Sequence, residues 1–182
     1  MSSIAEQKKE LRAAMRQAGK HLDEARRRDA AAQVWAAVER LPEFMTAHTV
    51  ALYWSLPDEL FTHGFLHKWA GRKQILLPAI CCEKLIFRRF DPAERLLPGT
   101  FGIAECSGGK VDPAEIEFVV VPGVAFDAAN NRLGRGKGFY DTFLSAYPNL
   151  YKAGVCFDYQ FVETVPAEAH DVKMDIVIFA SR

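Results

Sequence analysis

The stretch from residue 118 to residue 141 constrains this chain more than any other. Phe118, Val119, Val120 and Val121 form a dense β-branched run that reads as a buried strand, and Pro122 and Gly123 stop it. A polar loop then runs to Gly138, where a helix reaching about Ala146 is expected to open. In that loop Gly134, Gly136 and Gly138 alternate with Arg135 and Lys137, and Arg132 precedes them. Without Cβ atoms the backbone can turn successive N–H groups toward one anion. The first turn of the following helix adds positive potential. A strand–loop–helix junction of this kind is where α/β sheets commonly take ligands, so the expected guest is a phosphate. The pattern is not a P-loop, which would need Gly in place of Asn131 and Ser or Thr in place of Gly138; nor is it G-x-G-x-x-G.

The flanking sequence alternates in texture. Residues 4–18 read as a helix ended by Gly19, with Ile4, Leu11, Met15 and Ala18 near one face. Asp23 caps a second helix through Leu41, where Val34, Trp35 and Val38 recur at helical spacing and Pro42 stops the run. Strands are predicted at 49–55, 74–80, 85–90, 152–157 and 175–180, with a helix at 62–70. Strands separated by helices predict an α/β layered domain with a largely parallel sheet. The expected organisation is a single domain over 1–182, with helices 4–41 packed on an α/β body spanning 48–180.

The 182 residues carry 23 basic and 23 acidic side chains, which argues against a polyanion-binding protein. Residues 1–40 are nevertheless basic, nine Lys/Arg to six Asp/Glu, whereas residues 158–182 hold five acids and two cations. Local cation clusters in a neutral chain point to a small anionic ligand. No apolar run approaches the ~20 residues of a membrane span. The N-terminus lacks a signal-peptide pattern, and Glu6 and Glu10 weigh against a transit peptide. Cys81, Cys82, Cys106 and Cys156 show no C-x-x-C pair or zinc spacing, and read as free thiols in a reducing compartment.

The string NNRLGRGKGFYD, residues 130–141, closely resembles the signature of the 5-formyltetrahydrofolate cyclo-ligase family. Other elements follow in the family's order. Lys8 to Arg12 resembles its K-x-x-L-R element, Glu59 to Thr62 its E-x-[DE]-T, Phe101 to Glu105 its F-G-I-P-E-P, and His170 to Asp175 its H-D-x-x-x-D. The resemblance implies a three-layer α/β/α fold similar to sugar-phosphate isomerases and CoA transferases. It also implies ATP- and Mg-dependent closure of 5-formyltetrahydrofolate to 5,10-methenyltetrahydrofolate through a phosphorylated formyl group, with release of ADP and phosphate. A cytoplasmic monomer is implied, acting on a reduced folate and ATP, with neither nucleic acid nor membrane as partner.

Carried over residue by residue, the resemblance assigns ATP to Lys8, Arg12, Arg132, Leu133, Gly134, Arg135, Gly136, Lys137 and Gly138. Lys8 and Arg12 are four apart and project from one helix face, extended by Arg16. Arg135, Lys137 and Tyr140 are the expected catalytic groups, because phosphoryl transfer needs cations that neutralise developing charge. Arg135 is expected to matter most, since a guanidinium offers two parallel donors to phosphate oxygens. Trp54, Glu59, Arg135, Phe139 and Tyr140 would line the folate site. Asp141 and Asp171 match the family's magnesium-associated acids, while Asp175 is read as structural. Departures are Phe61 where the family has an acid, Ala104 and Cys106 in place of two prolines, and Phe139 for a tyrosine. Phe61 suggests an altered substrate end, which keeps open a different small acceptor; a non-catalytic nucleotide-binding module that kept the glycine loop but lost the chemistry is a separate alternative. No role follows for vicinal Cys81 and Cys82.

Overall fold

The structure, a computed structural model, describes residues 2–99 and 104–180. Phe101, Gly102 and Ile103 of the F-G-I element lie outside the described residues. Ser3 and Glu6 close a reciprocal capping box at the start of α1 (Ile4–Gly19), and Asp23 caps α2 (Glu24–Val38) as its side-chain chemistry predicts. Pro42 opens a short α3 (Pro42–Thr46). β1 (Thr49–Ala51), α4 (His63–Trp69), β2 (Gln74–Cys81) and β3 (Lys84–Arg89) follow, then a short β4 (Leu97–Pro98) paired with β5 (Ala104–Glu105). The chain continues through β6 (Phe118–Pro122), β7 (Ala125–Phe126), β8 (Arg132–Leu133), α5 (Phe139–Ala146), β9 (Tyr151–Cys156) and β10 (Ile176–Phe179).

Six strands form the central sheet in the order β10-β9-β6-β1-β2-β3, all parallel to their neighbours except β3, which returns antiparallel on β2. Period-2 alternation sorts the side chains into two faces. Val50, Leu52, Ile75, Leu77, Phe118 and Val120 face one core with Val34, Trp35, Phe44 and Phe65 from α2, α3 and α4. Ala51, Leu76, Val119 and Val121 face the other, with Phe143 and Leu144 of α5. Helices therefore cover both faces of a mixed, mostly parallel sheet, as the α/β/α expectation required. No helix among the described residues is long and apolar enough to cross a membrane.

Two local expectations are corrected. The strand expected over 49–55 pairs as a ladder only over Thr49–Ala51, because the chain beyond Tyr53 turns into a closed loop. There the Thr62 hydroxyl donates to the Tyr53 carbonyl at 2.8 Å, and Ser55 and Thr62 exchange backbone-to-hydroxyl bonds at 3.1 Å. In α1 the inward face is only partly the apolar set. Ile4 is 40% exposed, whereas Lys8 is buried, and Leu11 and Met15 pack on a small core of Ala125, Leu133 and Val165. Positions 8, 11, 12 and 15 share that face by helical geometry, so the helix turns two cations toward the body.

The topology also places the site. From β1 the chain moves through α4 to β2 and β3, then returns to lay β6 on the opposite side of β1. The β1–β6 boundary is thus a topological switch point, and loops leaving the carboxyl ends of these strands diverge there to open a crevice.

Candidate active site

A cavity of about 760 Å³ opens at this switch point. Trp54 and Glu59 reach it from the loop after β1, and Gly123 and residues 132–138 from the chain after β6. Phe139, Tyr140 and Asp141 enter from the first turn of α5, Lys8 and Arg12 from α1, and Asp171 from the C-terminal loop. Every site residue expected from the sequence therefore lies against one cavity.

The glycine loop differs in detail from a simple flexible connection. Its first part is a hairpin of β7 and β8, in which Arg132 and Leu133 are buried. Asp127 organises the turn. Its carboxylate accepts from the backbone N–H of Ala129 (3.0 Å), Asn131 (2.9 Å) and Val165 (2.9 Å), and from the Asn131 amide (2.9 Å). Burial opposes its charge, but these donors outweigh burial and hold the carboxyl below its usual range. Leu133 is 1% exposed with its side chain in the small core, so only its backbone is available to a ligand. Beyond it, Gly136 and Gly138 take φ of 99° and 71°, a region L side chains avoid. Gly138 is the N-cap of α5, so the loop delivers its turn directly to the helix N-terminus. Arg12 donates to the Gly134 carbonyl at 2.8 Å and ties α1 to this loop.

Arg132 is almost fully buried. Its guanidinium donates to Asp141 at 2.8 Å and to the Pro122 carbonyl at 3.2 Å, and its carbon lies 5.6 Å from the centre of the Tyr140 ring. Two buried polar atoms here have no protein partner, Arg132 Nε and the Tyr140 hydroxyl. Burial, reinforced by the Glu59 charge, pushes the Tyr140 phenol well above its usual range, so it stays protonated as a donor.

Across the cleft, Arg135 donates to Glu59 from Nε at 3.1 Å and from a terminal nitrogen at 3.0 Å, and to Asp58 at 2.7 Å. The other Glu59 oxygen accepts from the Leu56 N–H at 3.0 Å. Burial works against both charges of the Arg135–Asp58 pair, yet the bonds prevail: Arg135 is raised and Asp58 lowered. Lys137 is exposed and lines the same wall. Trp54 lines the cavity and stacks on His63 at 3.7 Å between ring centres.

Lys8 meets Asp171 at 2.6 Å and Glu168 at 2.8 Å. It is therefore no part of a solvated stripe, the alternative that sequence alone leaves open for α1. Burial opposes the Asp171 charge, but Lys8 and the Glu168 N–H, at 2.7 Å, hold its carboxyl low. Ligand atoms of Glu168, His170 and Asp171 lie within 4.8 Å of one another, a grouping that could hold a cation. Asp141 stands outside that group with its carboxylate on Arg132, while its second oxygen accepts from the Val172 N–H at 3.3 Å. Both predicted metal acids thus flank the 171–172 segment. The hard oxygen donors suit magnesium better than a soft metal. Sequence reasoning missed Glu168, whose only signal was its place two residues before His170. It also assigned no role to Asp127 and Thr62. Asp175 is structural, as expected, and its carboxylate accepts from the Lys152 N–H at 2.7 Å.

The expectation for Phe61 changes. The residue is 48% exposed, its ring packs 4.6 Å from that of His63, and it does not line the cavity. Its backbone carbonyl, bound by the Trp35 indole at 2.7 Å, is what holds this position.

An α/β fold with a glycine–cation cradle and facing carboxylates at its switch point defines a protein shaped for small anionic ligands. Residues 4–180 match the 5-formyltetrahydrofolate cyclo-ligase family, and the chain belongs to it. A probable 5-formyltetrahydrofolate cyclo-ligase of Schizosaccharomyces pombe is 30% identical over 161 residues, covering 78% of this chain and 79% of that protein. The Escherichia coli K12 5-formyltetrahydrofolate cyclo-ligase is 31% identical over 154 residues, covering 78% and 82%. Among solved structures, the 5,10-methenyltetrahydrofolate synthetase of Aquifex aeolicus superposes with a TM-score of 0.83 at 34% identity, covering 94% of this chain and 88% of that one.

Proposed function

We propose that the chain catalyses ATP- and magnesium-dependent ring closure of 5-formyltetrahydrofolate to 5,10-methenyltetrahydrofolate, with release of ADP and phosphate. Family membership supports the reaction. The observation that carries it is the Arg135–Glu59 contact across a single cavity, which sets the cation loop directly against the wall holding Trp54. A volume of about 760 Å³ falls in the usual range of ligand sites.

In this reading the backbone of residues 133–138, with Lys8, Arg12, Arg132 and Lys137, holds the nucleotide phosphates. Arg135 orients the phosphates and compensates the charge that develops during transfer. Trp54, Glu59, Phe139 and Tyr140 hold the reduced folate, with the protonated Tyr140 hydroxyl donating to it. Asp141, beside Arg132, and Asp171, beside Lys8, are the acids that would hold magnesium. When bound, MgATP supplies the phosphoryl group that activates the formyl oxygen, and the ion neutralises its phosphate oxygens. The same reading takes residues 1–182 as one unit, since α1 supplies Lys8 and Arg12 to a site built by the body, and takes a cytoplasmic monomer from the family resemblance alone.

The test mixes purified protein with MgATP and 5-formyltetrahydrofolate and follows the near-ultraviolet absorbance of the methenyl product. ATP-dependent product is expected, with turnover reduced about 10²–10³-fold in Arg135→Ala at unchanged circular dichroism. Folded protein that binds ATP yet gives no product would overturn the reaction, and parent-like turnover in Arg135→Ala would remove that residue from the chemistry.

A further inference from the structure

The vicinal cysteines lie at the tip of the β2–β3 hairpin, outside the machinery above. Cys82 and Glu83 form a two-residue turn between the paired Cys81 and Lys84. Both hold positive φ, 49° and 60°, as this kind of hairpin turn demands at both central positions. Cys81 and Cys82 are exposed free thiols with sulfur atoms 3.8 Å apart. Cys106 and Cys156 are buried, and burial pushes the Cys106 thiol up to about 11 and Cys156 higher still. The thiols that a reagent in solvent can reach are therefore those at the hairpin tip.

The geometry distinguishes a bridged pair from a directly bonded one. Disulfides usually join residues whose Cα atoms are about 4.4–6.8 Å apart. Neighbours across a trans peptide stand at only about 3.8 Å. A bridging atom asks for less, because two bonds through one centre leave the sulfurs well beyond the about 2.05 Å of a disulfide, as they are at 3.8 Å here. Zinc binds thiolates through one centre but calls for further protein ligands. Among the described residues the one grouping of three or more such ligands is the distant Glu168, His170 and Asp171. A centre satisfied by two sulfurs fits the tip better.

We propose that Cys81 and Cys82 form a bidentate dithiol site for a soft, thiophilic centre of the trivalent organoarsenical class, at the tip of the β2–β3 hairpin. With an arsenoxide, the arsenic–oxygen bond gives way to two arsenic–sulfur bonds. The two thiol protons leave with that oxygen as one water, and no oxidation state changes.

The full chain titrated with phenylarsine oxide, followed by intact mass and thiol counting, is expected to take one arsenical with both exposed thiols blocked. Cys81→Ser and Cys82→Ser should each weaken binding at least about tenfold, because the second sulfur of the parent acts at high effective concentration. The double variant should take none. Both positions are exposed, and circular dichroism checks that the variants fold. Label retained in the double variant, single variants that bind as tightly as the parent, or one thiol left titratable in the adduct would each overturn the site. Mass and thiol counts need no turnover, so this result stands or falls separately from the proposed reaction.

Discussion

Tyr140 shows how a single residue can carry a cost in the free protein that a ligand removes. Its hydroxyl is buried without a partner, and an unsatisfied buried group of this kind costs about 1–3 kcal/mol. Its ring meanwhile packs against the second core and beside Arg132. Tyr140→Phe keeps the ring and removes the orphan oxygen. The free variant is expected to be more stable by about 1 kcal/mol, a rise of roughly 2–4 °C in Tm, while kcat/KM falls about tenfold or more. Paired thermal melts and rate measurements check this. A variant that loses stability with activity intact would mean that the hydroxyl serves the fold rather than the ligand.

At the scale of elements, the glycine loop works because its ends are fixed. The Asp127 hub anchors the β7–β8 hairpin, α5 takes over at Gly138, and Arg12 grips the Gly134 carbonyl between them. Gly136 is constrained by its backbone. Its φ of 99° strains any L side chain, whatever the space around it. A β-branched residue in such a region costs about 1–3 kcal/mol. Gly136→Val is therefore expected to weaken ATP binding at least about tenfold in calorimetry. Parent-like affinity would mean that the loop backbone does not cradle the nucleotide.

Across the whole molecule, the basic N-terminal segment and the acidic C-terminal one neutralise each other at the site, where Lys8 meets Asp171 and Glu168. Asp127 and Asp171 both titrate below their ordinary range in the folded chain. The stability they contribute is full above the unfolded carboxyl value, about pH 4, and is lost as pH falls through the lower folded values. Denaturant midpoints measured from pH 6 to pH 2.5 should accordingly fall on the acid side. Asp127→Asn should start less stable at neutral pH by about 1–3 kcal/mol and show a shallower acid decline. An unchanged slope in that variant would remove Asp127 from the acid transition.

Much of the fold is legible in short windows of sequence. The Asp23 cap, the Pro42 stop, the Phe118–Val121 run and the helix opening at Gly138 all follow from propensity, turn chemistry and periodicity, which act over a few residues. The alternating glycines and cations likewise single out the loop that lines the cavity. What local signals do not carry is which distant groups meet. Lys8 and Asp171, separated by 163 positions, meet only because the fold brings α1 and the C-terminal loop together beside the cleft. The tertiary structure also decided that Phe61 points outward, that Arg132 occupies the Asp141 carboxylate, and that Asp127 pins a hairpin inside an apparent loop. The physical reason is that a polar side chain takes whichever donor or acceptor burial leaves within about 3 Å, and packing across the sheet, not neighbourhood in sequence, selects it.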